Sequence, residues 1–177
     1  MRWLKPGRGD AIGDDLVVMR RYARSLARDD QDADDVVQDA LVRAIERQGT
    51  FQPGRGRRQW LLAIVHNVFV SAKRREAAEA RRDARFAQTM LSHVDADQED
   101  RARLAQLAQA FAALSDQHRS VLHLVAVEGM TYREAADILD VPVGTVMSRL
   151  ARARTALRDR QGGSGERMLR VVGGQDD

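Results

Sequence analysis

Thr131–Arg160 reads TYREAADILDVPVGTVMSRLARARTALRDR. Its spacing predicts two helices joined by a tight turn. Thr131 and Glu134 form a T-x-x-E capping box, in which each side chain satisfies a backbone N–H that the first turn of a helix leaves unpaired. Ala135, Ala136, Ile138 and Leu139 give that helix a small apolar face. Asp140, Val141 and Pro142 make the turn, and Pro142 suits the first position of the next helix, where its missing N–H costs nothing. Val143, Val146, Leu150, Ala153 and Leu157 then recur at intervals of three and four, which predicts one buried stripe. The opposite side centres on Thr145, Ser148, Arg152 and Thr155, with Gly144 and Arg149 near its edges. Short hydroxyls and arginines there can reach base edges and phosphates, and a glycine lets backbone approach DNA closely. Arg154 falls near the apolar side and is a poor base reader. A capped helix, a short turn and a proline-led second helix together predict a helix-turn-helix, a shape that enters the major groove. The plainer alternative is a helical hairpin with a solvated arginine face.

The same periodicity extends upstream. A helix over about Asp100–Ala113 presents Leu104, Leu107, Phe111 and, just beyond it, Leu114; Ser115 caps another that carries Val121, Leu122, Leu124 and Val125, and Gly129 stops it. Residues 100–160 thus form a four-helix unit. Nearer the N-terminus, a first helix over about Asp14–Arg28 turns Leu16, Met19, Ala23 and Leu26 inward. A second follows an acidic cluster, capped by Asp32. It buries Val36 or Val37, Ala40, Leu41, Ala44 and Ile45, and ends near Gly49. FQPGRGRR (Phe51–Arg58) is a basic loop by its Pro and Gly content. A strongly apolar third helix spans Gln59 to about Phe69, and Lys73-Arg74-Arg75 closes the unit. The expected organisation is all-α: a helical domain over 10–76, a flexible linker over 77–99 whose composition allows some helix but makes a poor core, the helix-turn-helix domain over 100–160 and a Gly-rich mobile tail over 161–177.

Composition narrows the function. The 177 residues carry a net charge of +3 and 44% hydrophobic residues with few aromatics, which suits two small cores built from Ala and Leu. Apart from Lys5 and Lys73 every cation is an arginine, whose planar fork matches phosphates and guanine. There is no cysteine, hence no disulfide framework or Cys-based zinc site, and His66, His93, His118 and His123 are not spaced as metal ligands. These histidines are expected in solvent or at a core edge. No cofactor is expected. No apolar run reaches the ~18 residues of a membrane span, and MRWLKPGRGD lacks the apolar stretch of a signal peptide. A cytoplasmic protein without enzymatic activity is the expectation.

Three segments together resemble one family. DADDVVQDALVRAIER (Asp32–Arg47) resembles the polymerase-binding helix of bacterial sigma factors, WLLAIVHNVFVSAKRR (Trp60–Arg75) their promoter −10 segment, and VPVGTVMSRLARARTALR (Val141–Arg158) their −35 reader. Order, spacing and length resemble the small extracytoplasmic-function (ECF) sigma factors over about residues 10–160.

The resemblance implies a protein that binds RNA polymerase core, directs it to promoter DNA, helps open the duplex and is held inactive by an anti-sigma factor. The family's D-x-x-Q-[DE] element, which engages the β′ clamp helices, is here Asp35, Gln38 and Asp39; with Val42 these share one exposed face. The alternative is that the acids only favour the positive end of the helix, which explains Asp39 less well than Asp35. For the −10 strand the resemblance implies Arg55, Arg57, Arg58, Asn67, Lys73, Arg74 and Arg75; Asn67 matches the family's I-x-x-N pattern and can both donate to and accept from a base edge. Its alternative is a helix cap. Trp60 resembles the family's core anchor, packed on Leu26 or Leu41. For the −35 duplex it implies Gly144, Thr145, Ser148, Arg149, Arg152 and Thr155. Met147 departs from relatives that carry Lys or Arg there, which removes one DNA contact. Two rival readings remain: a dimeric helix-turn-helix regulator, and a sigma mimic that sequesters an anti-sigma factor without touching DNA.

Overall fold

A computed structural model describes residues 11–27, 29–51, 56–82 and 99–160. Among them every regular element is helical. The chain divides into two compact units, within Met1–Met90 and Leu91–Asp177.

The N-terminal unit is a three-helix bundle of α1 (Ala11–Leu26), α2 (Asp30–Glu46) and α3 (Arg57–Arg82), each packed on the other two. Its core is Met19, Tyr22, Ala23 and Leu26 from α1, Ala33, Val36, Val37, Ala40 and Ala44 from α2, and Leu61, Leu62, Ile64, Val65, Val68 and Phe69 from α3. Arg20–Asp34 at 2.9 Å and Arg24–Asp30 at 3.0 Å pair successive turns of α1 and α2 in antiparallel order. Both pairs are exposed, so they set register more than they stabilise.

Several expectations need correction here. Asp29, not Asp32, caps α2: its side chain accepts from the Asp32 N–H at 2.8 Å. Leu16 and Ile45 are exposed, and Leu41 is only half-buried. The α2 stripe centres on Ala33, Val37, Ala40 and Ala44, and at ~100° per residue Ile45 falls well off its centre. α3 starts two residues early, so Arg57 and Arg58 belong to a helix rather than a loop. It also runs on past the expected end near Phe69 to Arg82, so Lys73–Arg75 are helical; residues 77–82 fall in the part of the linker whose composition already allowed some helix. A short 3-10 turn, Gln48–Thr50, joins α2 to Phe51. Arg55, residues 83–98 of the linker, the tail after Arg160 and the side chain of Leu104 lie outside the described residues.

The C-terminal unit holds α4 (Glu99–Ala112), α5 (Asp116–Leu122), α6 (Tyr132–Leu139) and α7 (Val143–Arg160), with α7 packed on the other three. Ser115 caps α5 and the Thr131–Glu134 capping box is complete, with Thr131 N–H donating to Glu134 at 2.8 Å and Glu134 N–H to Thr131 at 3.2 Å. After α5 the chain widens into a π-turn, His123–Val127, before Gly129 reverses it at φ 67°. The turn before α7 depends on Asp140 in the left-handed region (φ 52°), a conformation Asp tolerates better than most residues. Val146, Leu150, Ala153 and Leu157 are buried as the stripe predicts; Val143, at its edge, is exposed.

Candidate functional site

The outward side of α7 follows from what its inward side must do. Burying Val146, Leu150, Ala153 and Leu157 fixes the helix rotation, and Gly144, Ser148, Arg152 and Thr155 are thereby exposed; Thr145 and Arg149 are half-buried at one edge. A Cβ placed on Gly144 would meet nothing within 4 Å, so the surface there is open. Ser148 Oγ donates to the Thr145 carbonyl at 3.1 Å, leaving its lone pairs outward. Arg154 turns to the apolar side, with one guanidinium nitrogen buried and unpartnered among the described residues. The side holds hydroxyls, arginines and no carboxylate before Asp159, a surface that polyanionic duplex can approach.

On α2, Asp35, Gln38, Asp39 and Val42 are all exposed. Because Asp29 caps the helix, Asp35 and Asp39 are not needed for that task. Both line a groove of about 170 Å³ between α2 and α3, whose floor is Ala27, Val36, Val68, Phe69 and Ala72. Gln38 and Val42 stand on the other flank of the same exposed face.

The expected −10 cations are not brought together. Asn67 and Arg74 are exposed and, seven residues apart, lie on nearly the same side of α3. Lys73 turns instead into the α2–α3 groove with Asp35 and Asp39, pairs with Glu76 at 3.1 Å and sits 5.8 Å from the centre of the Phe69 ring. Arg57 is ion-paired with Asp15 across α1 and α3. Burial pushes the Asp15 carboxyl above its ordinary value, more than the hydrogen bond and charge of Arg57 pull it down. Arg58 and Arg75 are exposed.

Two polar pairs escaped the sequence. Tyr22, fully buried, bonds through its hydroxyl to His66 Nδ1 at 3.1 Å, and the two rings stack. His123, expected in solvent or at a core edge, is buried with Glu128, their side chains 3.0 Å apart across the π-turn. Trp60 is half-buried and its ring meets Phe51, with centroids 5.4 Å apart. In all three pairs the sequence gives no periodic signal, since side-chain partnership across a turn or between helices follows from packing.

Comparison with known proteins matches both units. Residues 104–157 match the family model for sigma-70 region 4, and residues 12–66 the model for the sigma2 domain of PhyR. The ECF RNA polymerase sigma factor EcfG of Rhodopseudomonas palustris is 35% identical over 155 residues, covering 84% of this chain and 83% of that protein. CnrH of Cupriavidus metallidurans, an RNA polymerase sigma factor, is 30% identical over 159 residues, covering 84% and 83%. The solved structure of the sigma factor RpoE with the anti-sigma factor NepR, from Bartonella quintana, superposes with a TM-score of 0.75 at 29% identity, covering 89% of this chain and 97% of that one. At this identity and coverage, with both sigma units present in order, the chain belongs to the ECF family of RNA polymerase sigma factors.

Proposed function

We propose that this sigma factor divides promoter recognition between its two units. The exposed face of α2 (Asp35, Gln38, Asp39, Val42) docks on the polymerase core at the β′ clamp helices. α3 holds the melted −10 strand through Asn67, Arg74 and Arg75, with Arg55, Arg57 and Arg58 at its N-terminal side. α7 reads the −35 duplex through Gly144, Thr145, Ser148, Arg149, Arg152 and Thr155. Lys73 serves the docking groove rather than the DNA strand. The observation that carries this reading is the two-sidedness of α7, with Val146, Leu150, Ala153 and Leu157 buried on one side and hydroxyls and arginines left to solvent on the other. Two weak sites on one enzyme select a promoter together through effective concentration, so the free chain binds promoter DNA poorly.

An anti-sigma factor restrains it. RpoE was solved bound to NepR and CnrH bound to the cytosolic domain of CnrY. Val17, Val42 and Ile45 leave apolar surface uncovered on the N-terminal unit, which an inhibitor would bury. Run-off transcription with purified core polymerase and genomic promoter fragments tests the central reading. Initiation that depends on this chain is the expected result; specific promoter binding by the free chain with no stimulation of core would overturn it.

A further inference from the structure

α7 carries two exposed ribbons side by side, and the polar one does not account for the other. Val143 and Met147 are 37% and 47% exposed and lie four residues apart; Ala151, also exposed, continues the line. Gly144 and Ser148 sit next to them around the helix, with open space over Gly144. This is the N-terminal half of a recognition helix, the part that meets base edges. Large apolar side chains held outward in water lose favourable burial unless something covers them. In the major groove one base offers an apolar group: thymine, through its C5-methyl.

We infer that Met147, flanked by Val143, reads a thymine methyl group in the upstream promoter element, making this chain prefer an A·T pair at that position. The inference rests on the reading of α7 as the duplex reader. A lysine or arginine at 147 would donate to guanine O6 and N7, whereas a thioether has no hydrogen to donate. Met suits the task because its unbranched side chain adapts to an irregular surface. Ser148 beside it commits its hydroxyl hydrogen to the Thr145 carbonyl, which removes a competing donor. A protein partner could also cover an apolar ribbon. The interleaving of Met147 with Gly144 and Ser148 on the same turns favours DNA.

The test uses holoenzyme reconstituted from core polymerase and the full chain, on a genomic promoter from which it initiates. Each thymine of the upstream element, on either strand, is replaced singly by uracil, which removes only the methyl. At one or two positions the wild-type rate of open-complex formation should fall roughly three- to fivefold, the size expected for one methyl group returned to water. Met147→Ala should be slower on the thymine template and lose no more on uracil. Met147→Lys should shift the preferred pair there from A·T towards G·C. Uniform tolerance of uracil, or an unchanged uracil penalty in Met147→Ala, overturns the inference. So does a Met147→Ala defect that is equal on all templates and tracks weaker core binding, which would mark a protein contact. Arg152→Ala is the control for the underlying reading. If it leaves upstream-element dependence intact, α7 is not the duplex reader and the Met147 assignment falls with it; if it weakens all templates while the uracil test fails, only Met147 is misassigned.

Discussion

Reversing the charge at position 39 separates docking from folding. Asp39 is exposed, does not cap α2 and has neighbours on the same helix at Asp35 and Arg43. In Asp39→Arg the new cation gains Asp35 four residues before it and opposes Arg43 four residues after it. Each such pair is worth about 0.2–0.5 kcal/mol, with opposite signs. The groove adds mild repulsion from Lys73, and arginine is the better helix former. Unfolding free energy should therefore move by no more than ~0.5 kcal/mol, the usual range for a surface change. Under the proposed docking role the effect on core binding is different, because a cation would face the basic partner that the acid is proposed to pair with. Losing such a charge pair at an interface costs about 2–5 kcal/mol, which at ~1.4 kcal/mol per decade is a loss of roughly 30-fold or more in core affinity. Urea denaturation measures the first quantity. Competition of the unlabelled variant against labelled wild-type chain for core polymerase measures the second, and run-off transcription should fall with it. Asp39→Asn should show an intermediate loss. Core affinity within about threefold of wild type, in a variant that melts normally, would refute the docking role of this face.

Three further changes probe what holds the sites in place. Leu150 is 2% exposed at the centre of the α7 stripe, so Leu150→Ala should cost about 2–5 kcal/mol and speed exchange of α5–α7 amides roughly 30-fold or more, with α1–α3 amides unchanged in the same full-length sample. Thr131→Ala removes one half of the capping box on α6 and should cost about 1 kcal/mol, read as a lower urea midpoint, with Thr131→Ser restoring most of it. Asp15→Asn tests the half-buried carboxyl: its folded pKa lies above the ordinary 3.8, so the folded state binds this proton more tightly than the unfolded state. Its favourable contribution is full below 3.8 and is lost as pH rises through the folded value. Wild type should therefore lose stability relative to Asp15→Asn across that rise, and parallel pH profiles in urea melts would count against the shift.

The sequence showed what depends on local order. The α6 capping box, the Ser115 cap and the buried run Val146, Leu150, Ala153 and Leu157 are each set by residues within a turn or two of one another, and the structure has them as expected. It misjudged what depends on neighbours. Ile45 belongs to an apolar pattern yet stands in solvent, because α1 and α3 cover α2 only as far as the Ala33–Ala44 stripe. The end of α3 was hidden because Lys73–Arg75 and the alanine-rich residues after them have no apolar period, although alanine and arginine are strong helix formers. The His123–Glu128 pair was invisible because a π-turn shifts the spacing by one residue, bringing together two side chains five apart that an α-helix would separate.

The division of cations along α3 bears most directly on mechanism. A basic run of three looks like a single phosphate clamp, but six residues at ~100° each put Lys73 roughly 120° around the helix from Asn67, whereas Arg74 stands within about 20° of it. The structure closes the first side against α2, with Lys73 beside Phe69 and Glu76, and leaves the second exposed. Under the proposed roles, one rod then faces polymerase with one side and the melted strand with another. Docking on one side then need not be released for strand capture on the other. Replacing Lys73 should therefore weaken core binding more than it weakens strand contact, and replacing Arg74 the reverse. A fork-junction template, whose −10 strand is already single, separates the two effects: the Arg74→Ala defect persists on it at saturating core, while the Lys73→Ala defect disappears. Equal defects from both variants at saturating core would mean that the run acts as one clamp after all.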